Sequence, residues 1–458
     1  MGRARISSPY RVAMLYPLQV SATRATQTAL VASLRLGPPK ARQTTVDVPG
    51  DKSISHRALL LSAVADGTTV VINPNRGADV MATLNALRRV GVRVSKRGDT
   101  FIVAGSHTLH DSQAPIDCGN SGTTMRLLMG LLAGRVNAKL DGDASLRRRP
   151  MERVAAPLRA MGANIKTSRR GKPPVTLQHA GKPLRGITYE LPVASAQVKS
   201  ALLLAGLQAS GRTTLICRDQ TRDHTERMLK LMGAAITVGS RRILLRPSAL
   251  RSPARLYVPG DFSAAFYLMA AAAVMPGSQL RLRMVGVNVT RSAALDVLKA
   301  MGARVHITNR RERSGEPTAD VVIKGGAPLR GVTVDKSLVP NLIDEIPALC
   351  AVAAAAKGAF RVCGAAELKL KESNRIATTV ALLKSFVVDA RSLPDGIIVR
   401  GGRSLHAPRS VATHGDHRIG MAAAILATAA RAPIVIEDAQ CIATSFPGFA
   451  GIWRETFG

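Results

Sequence analysis

A repeat constrains the fold of this chain more than any other feature. Leu87-Arg-Arg-Val-Gly91, Leu158-Arg-Ala-Met-Gly162, Leu229-Lys-Leu-Met-Gly233 and Leu298-Lys-Ala-Met-Gly302 each close an amphipathic helical stretch on a glycine, at spacings of 71, 71 and 69 residues. Each is followed by a short β-type run, at 92–94, 163–165, 234–238 and 303–307. A degraded fifth copy is Leu382-Leu-Lys-Ser-Phe386, and Phe457-Gly458 stands where a sixth would end. Self-similarity at a fixed period means one supersecondary unit used again and again. Six units of about 70 residues then fill the chain, and helices ending in Gly beside strand-like runs make each unit mixed α/β.

A longer period lies over the first. Pro49-Gly-Asp-Lys-Ser53 recurs as Pro259-Gly-Asp-Phe-Ser263, an offset of 210 residues or three units. The expected organisation is two three-unit domains joined at two Pro-Gly-Asp crossings, at 49–51 and 259–261. Residues 51–259 form the first domain; 44–50 and 260–458 form the second. Residues 1–43 hold seven basic residues and no acid, which reads as a basic leader with little order before Thr44. That composition also suits an organellar transit peptide, and Met14 offers an alternative start.

The net charge of +34 comes mostly from arginine. The cations are scattered rather than gathered in a tail, and only 3% of residues are aromatic, which argues against a stacking platform for single-stranded nucleic acid. Five cysteines, none in a CxxC pair, suggest neither a disulfide framework nor a zinc site. No apolar run reaches the length of a membrane span.

Polar groups gather instead where helices begin. Pro49-Gly-Asp-Lys-Ser-Ile-Ser-His-Arg57 runs into the apolar stretch 58–65, with Gly67 as the expected stop. Ser53 and Arg57, four apart, share one helical face beside the positive end of the helix dipole, a setting that suits phosphate or carboxylate. Cys118-Gly-Asn-Ser-Gly-Thr-Thr-Met-Arg126 precedes an apolar helix at 127–133, and its glycines allow close approach of a ligand to the backbone. It lacks P-loop spacing. Arg147-Arg-Arg149 precedes Pro150, and not all three guanidinium groups can face one ligand. Val193-Ala-Ser-Ala-Gln-Val-Lys199 and Thr221-Arg-Asp-His224 open two further helices.

In the second half, Asn341-Leu-Ile-Asp-Glu-Ile-Pro347 sets Asp344 and Glu345 before an Ala-rich helix, as caps or as a base in a cationic site. Lys371-Glu-Ser-Asn-Arg375 places Lys371 and Arg375 one turn apart if helical, and Asp416-His-Arg418 precedes the apolar stretch 419–430.

The order and spacing of these motifs, from about Thr44 to the C-terminus, resemble the 5-enolpyruvylshikimate-3-phosphate synthase family of 3-phosphoshikimate 1-carboxyvinyltransferases. Asp143-Ala-Ser, Thr221-Arg-Asp-His224 and Ala443-Thr-Ser-Phe-Pro447 are similar to its bacterial class II branch. The resemblance implies a two-domain inside-out α/β barrel. It also implies transfer of the enolpyruvyl group of phosphoenolpyruvate to the 5-hydroxyl of shikimate 3-phosphate, through a tetrahedral intermediate, with release of phosphate. No metal, no cofactor, no nucleic acid and no membrane are expected, and a cytoplasmic monomer is.

By resemblance, shikimate 3-phosphate is held by Lys52, Ser53, Arg57, Ser195, Ala196, Gln197, Arg222, Asp344 and Lys371. Phosphoenolpyruvate is held by Lys52, Gly122, Arg149, Gln197, Arg375 and Arg418. Asp344 accepts the 5-hydroxyl proton, Glu372 handles the methylene proton, and Lys52 serves both substrates. Gly122, where tolerant relatives often carry Ala, implies sensitivity to glyphosate. The chain departs from the family pattern at Asn374 (usually Asp), Lys369 (usually Arg), Gly420 (usually Ala) and Thr444 (Lys in the other branch). It also stops at Gly458, where close relatives add a short strand. Alternatives are the sister enolpyruvyl transferase acting on UDP-N-acetylglucosamine, a basic nucleic-acid binder, and a homologue that binds without turnover.

Overall fold

The computed structural model describes residues 33–179 and 181–458. Two hydrophobic cores organise them. One draws on residues 54–258, the other on 34–48 together with 262–457. In each core lie three helices buried along almost their whole length. They are Lys52–Ser62, Gly122–Leu132 and Ala196–Gly206 in one, and Phe262–Val274, Ile346–Ala355 and His417–Ala430 in the other. Segments this rich in Leu, Ala and Met all round have no face to offer water and must be interior. Small residues let their backbones approach: a Cβ added at Gly130 would lie 2.1 Å from the Ala201 carbonyl oxygen of the neighbouring helix.

Six amphipathic helices alternate with these along the chain: Ala78–Arg89, Glu152–Ala160, His224–Leu231, Ala293–Ala300, Arg375–Ser385 and Phe449–Phe457. Gly91, Gly162, Gly233 and Gly302 follow four of them at φ of 89, 95, 83 and 100°, a region closed to most side chains. After the fifth, Val387 takes φ 62° without glycine's freedom.

Four four-stranded sheets share one order: a first strand parallel to a second, then an antiparallel hairpin. Ile116–Asp117, Ala138–Asp141, Lys172–Gln178 and Asn164–Ser168 are an example. Two sheets take their first strand from far along the chain. Arg255–Tyr257 lies parallel to Thr68–Ile72, and Gln43–Val46 parallel to Gln279–Gly286. Burial alternates along strands such as Thr68–Ile72, so the sheets cover the helices with one face and meet solvent with the other.

The chain passes between the cores at two segments that are hydrogen-bonded to each other. The Asp51 N–H donates to Pro259 O and the Asp261 N–H to Pro49 O, both at 2.8 Å. Asp51 then caps its helix through Ile54 N (2.9 Å), and Asp261 caps its own through Ala264 N (3.1 Å). Asp261 also accepts from Lys52 N at 3.0 Å, so one crossing fixes the start of the other's helix. A Cβ at Gly50 would meet Asn73 O at 1.8 Å, which leaves glycine as the residue that fits.

Several expectations need correction. The leader was expected to show little order before Thr44, but Ser33–Leu36 pairs antiparallel with Ile434–Glu437. Leu34 and Leu36 point inward and Ser33 and Arg35 outward, a period-two pattern that a basic composition hides. Residues 1–32 lie outside the described residues. The first helix ends at Ser62, before Gly67, because Ala65–Asp66 pairs with Leu250–Arg251. Lys371 and Arg375 share no helix: Lys371 follows the 3-10 turn Ala366–Leu370, and the helix begins at Arg375. Gly420, where the family usually carries Ala, has no spare room in this chain: an added Cβ would lie 3.0 Å from Thr413 and 3.1 Å from Ile442.

Gly130→Ala should force the Gly122–Leu132 and Ala196–Gly206 helices apart and cost about 1–3 kcal/mol. Urea unfolding of the variant should show a lower midpoint at unchanged slope; an equal or higher midpoint would contradict close helix contact there.

Candidate active site

The buried helices of the two cores begin around one cavity, and every residue that the resemblance assigns to substrate binding or catalysis lines it. Lys52, Ser53 and Arg57 come from the first turns of Lys52–Ser62, and Gly122 from the start of Gly122–Leu132. Arg149 follows the 3-10 turn Leu146–Arg148; Ser195, Ala196 and Gln197 open Ala196–Gly206; Arg222 precedes His224–Leu231. From the other core come Asp344, just before Ile346–Ala355, and Lys371 and Glu372, after Ala366–Leu370. Arg375 begins its helix and Arg418 lies in the first turn of His417–Ala430. Thr444 does not line the cavity.

On the first side, Arg57 donates to Thr225 Oγ1 (2.6 Å), Ser200 Oγ (2.8 Å) and Ser53 O (2.8 Å), which holds its guanidinium rigidly below Ser53. Burial lowers it to about 10, so it stays charged at neutral pH. Gln197 is held from both ends, by Arg126 Nη1 (2.5 Å) on its carbonyl and Thr123 Oγ1 (2.9 Å) on its amide. Ser195 caps its own helix through Val198 N. Lys52 Nζ sits 2.9 Å from Asp79. Of the Arg147-Arg-Arg149 run, Arg149 is buried at the cavity, while Arg147 pairs with Asp141 at the exposed surface.

On the opposite side two carboxylates stand among cations. Asp344 lies 2.5 Å from Arg222, 3.1 Å from Arg375 and 3.7 Å from Lys371. Glu372 lies 2.5 Å from Arg375 and 3.7 Å from Arg149. Burial works to raise both carboxyls, but the surrounding cations win and hold them well below their ordinary values. Lys371 and Arg222 act most on Asp344, Arg375 and Arg149 on Glu372. Arg375 is in turn fixed by Asp416, at 2.8 Å from Nε.

Arg418 differs from these. It is buried, its Cζ lies 5.5 Å over the Tyr267 ring, and its Nε and Nη1 find no partner among the described residues. A buried guanidinium that lines a cavity and has no carboxylate partner is a site for an anion. The cavity as a whole carries more cations than its own carboxylates can pair, from helix starts whose N–H groups add to the field.

Sequence reasoning passed over Asp79, Arg126, Arg153, Glu367 and Arg291, which also line the cavity. Arg126 was within reach, one turn after Gly122 on the same helix. Burial, then Arg153 and Arg149, lower it to about 9. The Arg153–Glu367 pair joins the two cores at 2.7 Å across 214 positions, and nothing local signals such a contact. Among the described residues no His, Cys, Asp or Glu cluster is placed to hold a metal, and no helix is long and apolar enough to cross a membrane.

A family model described as EPSP synthase (3-phosphoshikimate 1-carboxyvinyltransferase) matches residues 36–453. A 3-phosphoshikimate 1-carboxyvinyltransferase of Syntrophotalea carbinolica is 46% identical over 409 residues, 88% of this chain and 94% of its own length. One from Alkalilimnicola ehrlichii is 47% identical over 90% of this chain and 93% of its own. Among solved structures, EPSP synthase from Acinetobacter baumannii superposes with a TM-score of 0.82 at 41% identity, over 93% of this chain and 98% of that one. The enolpyruvyl transferase NikO of Streptomyces tendae shares the fold, at a TM-score of 0.73 and 17% identity over 93% of this chain and 97% of that one.

The depressed carboxyl of Glu372 makes stability depend on pH. Its ordinary value is 4.5 and its folded value lies well below. The stabilisation from its pairs is therefore complete above that ordinary value and is lost as pH falls through the lowered one. The urea-stability gap between the parent protein and Glu372→Gln should be widest at neutral pH and shrink by up to about 1.4 kcal/mol per pH unit in acid. A gap that stays constant into acid would contradict the pairing.

Proposed function

The chain belongs to the EPSP synthase (3-phosphoshikimate 1-carboxyvinyltransferase) family, and from that premise we propose which groups of its cleft carry the reaction. The activity is enolpyruvyl transfer in the shikimate pathway of aromatic amino acid biosynthesis (EC 2.5.1.19). Phosphoenolpyruvate is the donor, the 5-hydroxyl of shikimate 3-phosphate the acceptor, and inorganic phosphate the by-product. The observation that carries the assignment of roles is the buried Arg418, whose Nε and Nη1 have no partner among the described residues, in a cavity lined also by Lys52, Arg149 and two carboxylates that their cationic neighbours keep ionised.

In this reading Ser53, Arg57, Ser195, Ala196, Gln197 and Arg222 hold the phosphate and ring of shikimate 3-phosphate. Gly122, Arg149, Gln197, Arg375 and Arg418 hold phosphoenolpyruvate, and Lys52 reaches both substrates. The 5-hydroxyl oxygen attacks C2 of phosphoenolpyruvate. Its proton passes to Asp344, with Lys371 beside the oxygen, while the methylene carbon gains a proton from Glu372. The tetrahedral intermediate then loses phosphate, which leaves as hydrogenphosphate with the proton that Asp344 took, and Glu372 takes a proton back from the methyl group as the double bond re-forms.

In the free cleft both carboxyls are held ionised by neighbouring cations, which makes Asp344 ready but weak as a base and leaves Glu372 without a proton to give. Substrate phosphates and carboxylates change this by pairing with those cations, so both carboxyl pKa values rise as the site fills. Binding thereby prepares the proton transfers, and positioning plus fixed charge supply most of the acceleration.

The same proposal takes in the finer architecture: two three-unit domains with crossings at 49–51 and 259–261, forming an inside-out barrel of the class II branch. The two cores and the mutually bonded crossings support the division into two domains, and the shared strand order of four sheets supports a repeated unit. A monomer belongs to the same reading, and the bacterial relatives support a cytoplasmic enzyme. Glyphosate sensitivity is part of it, since an added Cβ at Gly122 would press on Arg126 and Arg149 at 3.1 and 3.2 Å.

Phosphate release should require both substrates together, and Asp344→Asn or Glu372→Gln should lower kcat by about 10²–10⁴-fold. Release from phosphoenolpyruvate alone, or parent-level kcat in both variants, would overturn the assignment. In the same assay glyphosate should inhibit the parent more strongly than Gly122→Ala; equal inhibition would remove that part of the proposal.

A further inference from the structure

Glu345, the neighbour of Asp344, is fully buried and does not line the cleft. Its two oxygens accept from Arg291 Nη1 at 2.9 and 3.0 Å, and one also accepts from the Ser263 hydroxyl. Arg291 bonds Ser263 through its other terminal nitrogen, and its Cζ lies 5.6 Å over the Phe262 ring. Burial alone would lower this guanidinium, but Glu345 and then Asp344 raise it above its ordinary value, so the pair stays charged. One turn along the same helix, the Tyr267 hydroxyl donates to the Asp344 carbonyl oxygen at 3.3 Å, while the Tyr267 ring supports Arg418.

The offset of 210 gives this cluster a counterpart. Ser263 and Tyr267 occupy in the second half the positions that Ser53 and Arg57 occupy in the first. Both pairs sit on the first turns of a buried helix that follows a Pro-Gly-Asp crossing. Ser53 and Arg57 line the cleft. Ser263 and Tyr267 face the protein's own segment 344–345 instead.

We propose that Ser263, Tyr267, Arg291 and Glu345 form a built-in anion site that positions Asp344, with the Glu345 carboxylate standing where the first half takes a substrate anion. The inference rests on the reading of Asp344 as the base. The four side chains are positioning residues. Ser263 and Arg291 grip residue 345 by its carboxylate and Tyr267 grips residue 344 by its carbonyl, so that the Asp344 carboxylate is held toward Lys371, Arg222 and Arg375 from behind. A buried ion pair of this kind adds little net stability compared with an apolar filling, but it defines a single arrangement. The same helix start thus has two uses in one chain: open to ligand in one half, closed on a catalytic segment in the other.

Glu345→Gln keeps the shape and removes the charge. Its kcat should fall roughly a hundredfold, the cost of a small misplacement of a reacting group. Calorimetric affinity for shikimate 3-phosphate should stay at the parent value, because Ser53, Arg57 and Gln197 are untouched. Parent-level kcat in Glu345→Gln would overturn the proposal, and so would a loss of shikimate 3-phosphate affinity equal to the loss of kcat. If that variant does not fold, Ser263→Ala and Tyr267→Phe replace it; each should lower kcat several-fold at unchanged affinity, and parent-level kcat in both would be equally fatal. Asp344→Asn measured alongside separates the two readings. If it is inactive while the positioning variants are fully active, only the positioning role fails; if it is active, the role of Asp344 as base fails first.

Discussion

Uncompensated positive charge at the starts of buried helices is the constraint on which this structure depends. Arg57, Arg126, Arg149, Arg375 and Arg418 are all buried, and a buried cation is tolerated only with partners. Asp416 and Glu372 supply them for Arg375, Thr225 and Ser200 for Arg57, and Gln197 for Arg126. Among the described residues Arg418 finds no partner for Nε and Nη1, and Arg126 and Arg149 each find none for Nε. The free protein therefore holds a site whose electrostatics are incomplete until anions arrive. In the proposed function two phosphorylated carboxylic acids complete it, which accounts for so many arginines gathered where a stable core would avoid them.

The fold makes that concentration possible. Six helices with apolar bodies can be buried only if their polar ends are collected somewhere, and the paired cores collect them at one cleft. The two Pro-Gly-Asp segments tie the cores together by reciprocal backbone bonds, and each Asp caps a helix aimed at the cleft. Burial, then the charge of Asp261, raises the Asp51 carboxyl, so the crossing too carries a cost that the structure accepts in order to fix both helix starts. Arg153 and Glu367 add a contact between the cores at the cleft.

Much of this was legible in the sequence. The glycines at 91, 162, 233 and 302 were readable because a helix ending in the left-handed region has few other residues to use. The cleft residues were readable because each sits within a few places of a helix start, where short motifs keep their meaning. Other features failed to show. Ser33–Leu36 forms a strand only because Ile434–Glu437 waits for it, some 400 residues away. Lys371 meets the cavity from the segment after a 3-10 turn and Arg375 from a helix start, so helical spacing led to two residues that line the cavity by the wrong geometry. Arg291 and Glu367 find their partners 54 and 214 positions away, and no local pattern encodes such distances.

In the proposed mechanism the cleft's own carboxylates hold its cations only until substrate anions take over. Calorimetric titration of shikimate 3-phosphate into Asp344→Asn protein tests it most directly. Removing this carboxylate frees Arg222 and Lys371, so affinity should equal or exceed that of the parent. A clear loss of affinity would mean that Asp344 is needed to build the anion site and does not compete for its cations, and the account would be wrong at its centre.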